Sequence, residues 1–514
     1  HGYALHEMIK WKVESAGPII GNMRAPDVDY ADDVALISAL NDYHQAQCLL
    51  NCLHLFCHIF GVEVNLKPNK TCALAFRKPG TSIHRGAVLK FNGVEISFQI
   101  QYKHLGLVLH AARGIQAASD ALTESADKAM KAVQARCRAL RLTQLAFKCR
   151  LFDTLVEPIL SYGSHVWGPC VVSKKQLWQD PCKLETSADK LHINYLRHLS
   201  GVGRHASIEV LMMDFDRLPI WVHWVTLGVR WLHKLQDMRP PLDADGHETH
   251  STKLAYNVWL ADIDLCLDDC TECWTASLLN VLEKLNALPE GFMIAASDRQ
   301  QILNLQVDES KVVDGLRAMI RDRWCRDLCD DPRGAPSLGV HMCTYTSWVR
   351  DGQGSAPHLT CFTSFKMLQC LCKYRIGWHQ LRVQTDHAIP RHQRYCKLCS
   401  TPHAPFRHVH DNAVFVEDLL HFMLECPAYN HIRRRYPAVF QSATSGLNLQ
   451  NAYMTHIFAI EQQQQLAACL YTMDLFRKEC LKLPTGIHVP VGRLTGIVKG
   501  DIELIKVTAT TQFV

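Results

Sequence analysis

The feature that most constrains this chain is the tetrapeptide Tyr30-Ala31-Asp32-Asp33, which lies between two short apolar runs. Such runs around a tight turn predict a β-hairpin with the two carboxylates at its tip. Adjacent carboxylates repel each other, and Mg²⁺ is a common counter-ion because it takes one or two protein carboxylates together with water and phosphate oxygens. The pattern indicates either a metal site for phosphoryl or nucleotidyl transfer or an ordinary solvated acidic turn.

The segments after this turn predict further strands around one helix. An apolar pattern with helical spacing over about residues 43–59 predicts a helix that ends at Gly61. Alternating or β-branched runs then predict strands, one pair of which turns at an Asn-Gly dipeptide. These predicted strands cover residues 60–66, 73–76, 91–96 and 102–109.

In this order the segments resemble the palm of a reverse transcriptase of the non-LTR (LINE-type) retrotransposon family. The Tyr-Ala-Asp-Asp turn is similar to its metal-binding hairpin, and Gly61–Thr71 is similar to the palm motif that follows. The segment Tyr102–Leu109 is similar to the strand that links palm and thumb. The resemblance implies an RNA-directed DNA polymerase that uses Mg²⁺ and acts on an RNA template with a DNA primer or target.

The resemblance also implies roles for the matching residues. Asp32 and Asp33 would bind Mg²⁺, and Tyr30 would shape the hairpin near the primer end. Lys70 would stabilise the pyrophosphate leaving group, because a cation near the phosphates offsets the charge that grows in the transition state. An ordinary turn lysine is the alternative for Lys70. The residues expected to face the primer strand are Tyr102 and Lys103.

A polymerase of this family also needs an earlier palm carboxylate and a fingers region. The acidic residues before Tyr30 are Glu7, Glu14, Asp27 and Asp29, and none lies in an apolar strand that is followed by a Gly-rich segment. We therefore expect a missing N-terminal half, with the fingers and the rest of the palm, in the parent protein. We also expect this chain to be catalytically incomplete alone, as a fragment or a decayed copy.

Composition bounds the remaining possibilities. A length of 514 residues permits two to four domains, and a net charge of +5 does not by itself indicate a nucleic-acid-binding protein. No run reaches eighteen apolar residues, so we expect no membrane span. The 22 cysteines form no regular disulfide framework, which favours reduced thiols in an intracellular compartment. The family resemblance implies that the protein is located in the nucleus and the cytoplasm.

A basic helix is predicted after the palm-like region. Apolar residues from Leu122 to Leu140 follow helical spacing, and Lys128, Lys131 and Arg138 fall on the opposite side. A second helix is predicted over about residues 145–160. In the family similar helices form the thumb, and such a face would contact duplex phosphates. The alternative is an amphipathic helix with a mixed solvated surface.

A cysteine-histidine pattern with metal-ligand spacing lies near the carboxy terminus. Two cysteines separated by two residues place two thiolates on one turn, which suits tetrahedral Zn²⁺. A helix opening at Glu417 would carry the histidine, and it must end before Pro427 for the last cysteine to reach the same ion. The predicted zinc ligands are Cys396, Cys399, His421 and Cys426.

Other assignments of this zinc site stay open in the sequence. Nearby histidines compete as the third ligand, and Cys270 with Cys273 repeats the two-residue spacing without a histidine partner. The surrounding segment resembles the carboxy-terminal CCHC region of the same family. Arg433 and Arg434 beside it would contact nucleic-acid phosphates. The competing histidines are His403, His408 and His410.

The sequence thus predicts an α+β chain, with a partial right-hand polymerase palm, a mainly helical thumb and connector, and a small zinc-binding carboxy-terminal domain. The rival function is a non-enzymatic zinc-knuckle protein that binds RNA or DNA. A third possibility is a translated pseudogene product. The predicted segments are a palm at 1–110, thumb-like helices at 111–175, a helical connector at 176–240, a helical region of unknown role at 241–360, the zinc-knuckle region at 361–440, and a helical segment with an unassigned tail at 441–514.

Overall fold

The structure, a computed structural model, describes part of the chain. The described residues are 5, 7–9, 17–20, 23–25, 27–30, 33–38, 43–67, 70–76, 88–114, 116–174, 186–241, 253–315, 317–319, 357–386, 388–400, 404–406, 414–440 and 462–482.

The described residues form an α+β structure in two compact units, each assembled from separate stretches of chain. Unit 1 draws on residues 1–129, 156–190 and 220–318, and unit 2 on residues 130–155, 191–219 and 319–514. The mixed helix and strand content confirms the predicted α+β class. The assignment of unit 1 to a polymerase palm stays a prediction.

Short strand pairs lie in unit 1. Four pairs are antiparallel (β1 with β2, β3 with β4, β6 with β7, β9 with β10), and β5 with β8 is parallel. The strands are β1 (Ile19–Ile20), β2 (Met23–Arg24), β3 (Asp27–Tyr30), β4 (Asp33–Leu36), β5 (Ala73–Leu74), β6 (Leu89–Phe91), β7 (Val94–Ile96), β8 (Phe98–Gln99), β9 (Gln101–His104) and β10 (Leu107–His110).

Two of these hairpins follow from local sequence signals. In the first, β3 and β4 are in register with Tyr30 opposite Asp33, which confirms the predicted hairpin. In the second, β6 and β7 are joined by Asn92 and Gly93, whose φ angles of 46° and 79° suit the left-handed turn that twisted strands favour. Helix α1 (Tyr43–Phe60) ends at Gly61, whose φ of +65° completes the helix, also as predicted.

Two strand predictions need correction. Residues 62–67 form no strand, although their pattern alternates. The side chain of Thr71 instead donates to the Asn65 carbonyl at 2.9 Å, and Asn65 accepts from the Lys67 amide at 3.3 Å. The predicted strand at 102–109 is a hairpin, because Leu105 and Gly106 take φ angles of 47° and 87° and reverse the chain between β9 and β10.

Most of the described chain beyond β10 is helical. The helices include α2 (Gln116–Ala139), α3 (Leu145–Leu155), α4 (Glu157–Leu160), α5 (Ser164–Ser173), α6 (Ser187–Ser200), α7 (Ile208–Asp214), α8 (Ile220–Gln236), α9 (Leu254–Leu267), α10 (Trp274–Lys284), α11 (Arg299–Leu303), α12 (Phe365–Arg375), α13 (Arg382–Thr385), α14 (Asn430–Arg433), α15 (Pro437–Phe440) and α16 (Gln463–Cys480).

The two predicted thumb-like helices differ from expectation at their ends. Helix α2 ends at Ala139, so Leu140, expected on the apolar side, is 55% exposed. The second predicted helix is divided at Val156 into α3 and α4. Pro158 explains the division, because a proline ring in a helix interior removes one hydrogen bond and clashes with the preceding turn.

Aromatic side chains fill the core of unit 1 beyond the strands. Trp221 and Trp224 of α8 are buried, and Trp224 packs edge-on against Trp167 of α5 with ring centroids 4.7 Å apart. Gly168 and Gly228 permit close helix contact, since a Cβ on Gly168 would lie 2.9 Å from Trp224 and one on Gly228 would lie 2.9 Å from Pro169. Trp221 and Trp224 are therefore core residues, whereas Trp231 of the same helix is half-buried.

Candidate functional site

The four predicted zinc ligands lie together in unit 2. Cys396, Cys399, His421 and Cys426 are buried, and one ligand atom from each lies within 4.8 Å of the others. The Sγ atoms of Cys396 and Cys426 are 3.9 Å apart, and Cys399 Sγ lies 3.1 Å from His421 Nε2. Tetrahedral Zn–S bonds of about 2.3 Å separate two sulfurs by about 3.8 Å. The residues therefore fit a structural Zn²⁺ ion.

A π-helical turn explains how His421 and Cys426 reach one point. The sequence predicted a regular helix from Glu417, but the backbone from His421 to Glu425 is π-helical. The Cys426 amide donates to the His421 carbonyl, five residues back, at 2.8 Å. The wider turn rotates residues five apart toward the same side, which an α-helix does not do. Pro427 then starts a short 3₁₀ turn, so the helix ends where the ligand spacing requires it.

The imidazole of His421 is held on both of its ring nitrogens. Nε2 faces Cys399, while Nδ1 lies 3.4 Å from Oε2 of Glu425. The ring also stacks on Phe415, with centroids 5.0 Å apart and planes inclined by 15°. A carboxylate on the far nitrogen of a ligating histidine fixes the tautomer and raises ligand basicity. The arrangement is the one that a metal-binding histidine needs.

The thiols in this cluster have shifted acidities. Hydrogen bonds from Cys396 and Cys426 lower the pKa of the Cys399 thiol to about 4. Burial raises the pKa of Cys426 well above its usual value. Zinc binds thiolates, so its charge would compensate for burying several of them together. Four protein ligands leave no position for a catalytic water, which favours a structural role.

A buried ion pair fastens this cluster to the last described helix. Glu417 accepts two hydrogen bonds from Arg477 of α16, both at 2.8 Å, and a third from the Arg382 amide at 3.0 Å. Both charged side chains are almost fully buried, with 2% and 6% exposure. Residues of α16 and of the cysteine-histidine cluster therefore share one apolar core.

Three predicted palm residues lie near one another in unit 1. Asp33 is exposed at the start of β4, and Lys70 is exposed in the turn before β5. The hydroxyl of Tyr102 donates to the Lys70 carbonyl at 2.6 Å. Burial raises the pKa of Tyr102, and the charges of Cys72 and Asp33 raise it further. Asp32 and the side chain of Tyr30 lie outside the described residues.

The predicted nucleic-acid contacts are not equivalent in the structure. The Arg433 guanidinium donates to the Met423 and Cys426 carbonyls, so it braces the turn before α14. Arg434 is exposed. Lys128 is exposed but pairs with Glu124 at 3.0 Å, one helical turn away. The other predicted contacts that are exposed are Lys103, Lys131 and Arg138.

A second group of possible metal ligands has no ligand-spacing pattern in the sequence. Asp214, His358 and Cys372 are buried, and their ligand atoms lie within 4.8 Å of one another. Asp214 also pairs with the buried Arg375 at 2.8 Å and with His358 at 3.2 Å. Burial tends to raise the pKa of Asp214, but the charges of Arg375 and His358 and their hydrogen bonds to the carboxylate lower it to about 2. The guanidinium already neutralises the carboxylate, so we interpret this group as a structural ion-pair network.

The second pair of closely spaced cysteines does not belong to the quartet. Cys270 and Cys273 belong to no group of three or more possible ligands among the described residues. Cys273 instead accepts a hydrogen bond from the Ala276 amide at 3.4 Å and caps α10. The competing histidines lie outside the described residues; they are His403, His408 and His410.

Comparison of the chain with protein-family models, curated proteins and solved structures gave no match. Among the described residues, every helix is too short or too polar to cross a bilayer.

Proposed function

We propose that this chain is a fragment of an RNA-directed DNA polymerase of a non-LTR retrotransposon. Its palm-like hairpin would hold Mg²⁺ at Asp32 and Asp33, and Tyr102 and Lys103 would face the primer strand. Its zinc region would be a structural element that contacts nucleic acid. The partners would be an RNA template and a DNA primer or target.

One juxtaposition carries this proposal. Asp33, Lys70 and Tyr102 come from three different segments, yet the Tyr102 hydroxyl donates to the Lys70 carbonyl. The Asp33 carboxylate is near enough to add to the effect of burial, which raises the pKa of Tyr102. A carboxylate that can bind Mg²⁺ and an exposed lysine, each with its segment near Tyr102, suit a phosphate-bearing substrate. Both side chains are exposed, so a nucleic-acid strand can reach them.

Nucleic-acid binding with and without Mg²⁺ tests the proposal. The full chain is titrated with a DNA primer annealed to an RNA template, and binding is followed by fluorescence anisotropy. We expect Mg²⁺ to tighten binding of the wild-type chain, and Asp33→Asn to abolish that increase, because the variant loses a metal-binding carboxylate. Glu95→Gln, which removes an exposed carboxylate elsewhere in unit 1, is the matched control.

The same mixture with deoxynucleoside triphosphates tests catalysis. We expect no primer extension by the chain as given, because none of its acidic residues before Tyr30 matches the first palm carboxylate. A Mg²⁺ effect that is the same in the wild type and in Asp33→Asn would contradict the polymerase proposal.

The complete ligand quartet favours a second candidate, a non-enzymatic zinc protein that binds RNA or DNA. On this reading the nucleic-acid surface lies beside the zinc region, with Arg434 among the contacts. Binding would then be independent of Mg²⁺ and Asp33, and would weaken in Arg434→Met.

A further inference from the structure

A cavity in unit 2 carries features that neither the palm-like region nor the zinc cluster uses. It has a volume of about 280 Å³ and opens between the end of α2, the start of α3, and residues of α6 and α12. One part of its wall is apolar, with Leu142, Leu199 and Phe365. The basic residues of the wall are Arg138, Arg141, Lys148 and His198.

Lys148 is the unusual member of this wall. Its side chain is 6% exposed, and its Nζ atom lies 3.5 Å from the centre of the Phe365 ring. No described carboxylate lies within ion-pair distance of this amine. Buried lysines are ordinarily paired with an acid, because an ammonium ion loses its hydration on burial.

The position of Lys148 in its helix also acts against a charge. The residue lies in the first turn of α3, where the helix dipole disfavours a cation. Burial lowers the pKa of the nearby His198, and the positive charges of Lys148 and Arg138 lower it further. Burial likewise lowers the pKa of Lys148.

A simpler explanation accounts for only part of this arrangement. Arg138 and Arg141 lie at the carboxy-terminal end of α2, where the helix dipole favours cations. That argument has the opposite sign for Lys148, at the start of the next helix. The Tyr195 hydroxyl donates to the Lys148 carbonyl at 2.7 Å, which fixes the backbone that positions this amine.

We propose that this cavity binds the phosphate group of a nucleotide, with Lys148, Arg138 and Arg141 around the phosphate and the sugar and base toward Leu142 and Leu199. A phosphate monoester carries a charge of about −1.5 to −2 at neutral pH. That charge suits three cations that pair with no described carboxylate better than a single carboxylate ligand does. Arginine guanidinium groups form paired hydrogen bonds with phosphate oxygens. The volume is close to that of small-ligand pockets.

Two sources can supply this group, a free mononucleotide and the terminal phosphate of a strand. The probes are AMP, inorganic phosphate, and a pentanucleotide with a 5′-phosphate or a 5′-hydroxyl, each measured with the full chain by isothermal titration calorimetry at low salt. We expect AMP or the 5′-phosphorylated strand to bind more tightly than inorganic phosphate, because the apolar wall adds contacts. The tighter of the two identifies the source.

Lys148→Met separates a binding role from a structural one. The variant keeps an apolar stem against Phe365 and removes the charge, so we expect nucleotide affinity to fall at least tenfold while the melting temperature without ligand rises. Lys366→Met removes an exposed charge on α12 outside the cavity wall and is the matched control, with unchanged affinity.

Three results would overturn the inference. They are failure of every phosphate probe to bind the wild type, equal affinity in the wild type and Lys148→Met, and no preference for the 5′-phosphorylated strand or AMP over inorganic phosphate. The test is separate from that of the polymerase proposal, because Asp33→Asn leaves this cavity intact and Lys148→Met leaves the palm-like hairpin intact.

Discussion

His192 shows how one buried side chain links stability to pH. It stacks on Phe152 at 5.1 Å, and burial, assisted by the charge of Arg217, lowers its pKa to about 3. In the unfolded chain its pKa is about 6.5. Between these two values the unfolded state takes up a proton that the folded state does not. The free energy of unfolding is therefore full above pH 6.5 and falls as the pH drops toward 3.

We predict that His192→Phe removes this part of the pH dependence while keeping the stacked ring. Between pH 7.5 and pH 5.0 the wild type should lose about 2 kcal/mol more stability than the variant, at 1.36 kcal/mol per pH unit below 6.5. Urea unfolding at both pH values measures this difference. Titration of the zinc ligands affects both proteins alike. An equal loss in both would show that His192 is not buried, and His205→Gln, at an exposed histidine, should behave like the wild type.

Asp214 is the central charge of a buried network. Its carboxylate faces Arg375 and His358, and all three side chains are at most 1% exposed. Removing one partner of a buried pair leaves the other charge uncompensated, at a cost of about 3–5 kcal/mol. We predict a loss of that size for Asp214→Asn, measured by urea unfolding at pH 7. Asp216→Asn, at an exposed neighbour, should change stability by less than about 0.5 kcal/mol.

The Asp214 network also has a defined acid limit. A carboxyl group with a depressed pKa stabilises the fold above its unfolded pKa of about 3.9, and this contribution is lost as the pH falls through about 2. The double variant Asp214→Asn with Arg375→Met should recover part of the lost stability, because no charge is then left unpaired. No recovery would contradict the network interpretation.

Elements show which parts of the fold are local in origin. The end of α1 and the turn between β6 and β7 both need positive φ angles. Gly61 and the Asn92-Gly93 pair are residue types that adopt such angles readily, so both features could be predicted from the sequence. The π-helical turn at His421–Glu425 could not be predicted, since π-helical turns are rare and no local residue pattern distinguishes this one from an α-helix. Pro158 was a readable signal that α3 and α4 are separate.

The π-helical turn positions Glu425 against the histidine of the zinc quartet. We predict that Glu425→Gln weakens Zn²⁺ affinity by about 10- to 100-fold, because the charge that orients His421 is lost while the side-chain size is kept. Competition with a chromophoric chelator measures the affinity. Glu479→Gln on α16, which removes a surface pair with Lys482, should leave it unchanged. Equal affinities in the two variants would contradict this role.

On the scale of the whole molecule, the sequence predicts a local ligand site better than it predicts contacts between distant segments. The zinc quartet spans only thirty residues between its outer cysteines and follows from ligand spacing. Asp214 and Arg375 are 161 residues apart in the sequence, and no local pattern predicts their contact. The same holds for Glu417 with Arg477 of α16, which places that helix in the zinc-region core. Long-range ion pairs of this kind depend on tertiary packing alone.

Because the zinc ligands and α16 share one apolar core, removal of the metal should loosen a defined part of the molecule. We predict one zinc per chain by elemental analysis, and loss of hydrogen-exchange protection in α14 and α16 after chelation. Helix α8 of unit 1 should keep its protection, since its buried tryptophans pack in a separate core.

Cys399→Ser should reproduce the effect of chelation and bind less than one zinc, because a hydroxyl does not replace a thiolate ligand. Cys270→Ser, in the other pair of closely spaced cysteines, should retain one zinc per chain and normal exchange. Zinc retained in Cys399→Ser, or exchange that increases equally in α8 and α16, would contradict a structural metal in unit 2. Zinc lost in Cys270→Ser would instead place the ion at the start of α10, where Cys273 caps the helix.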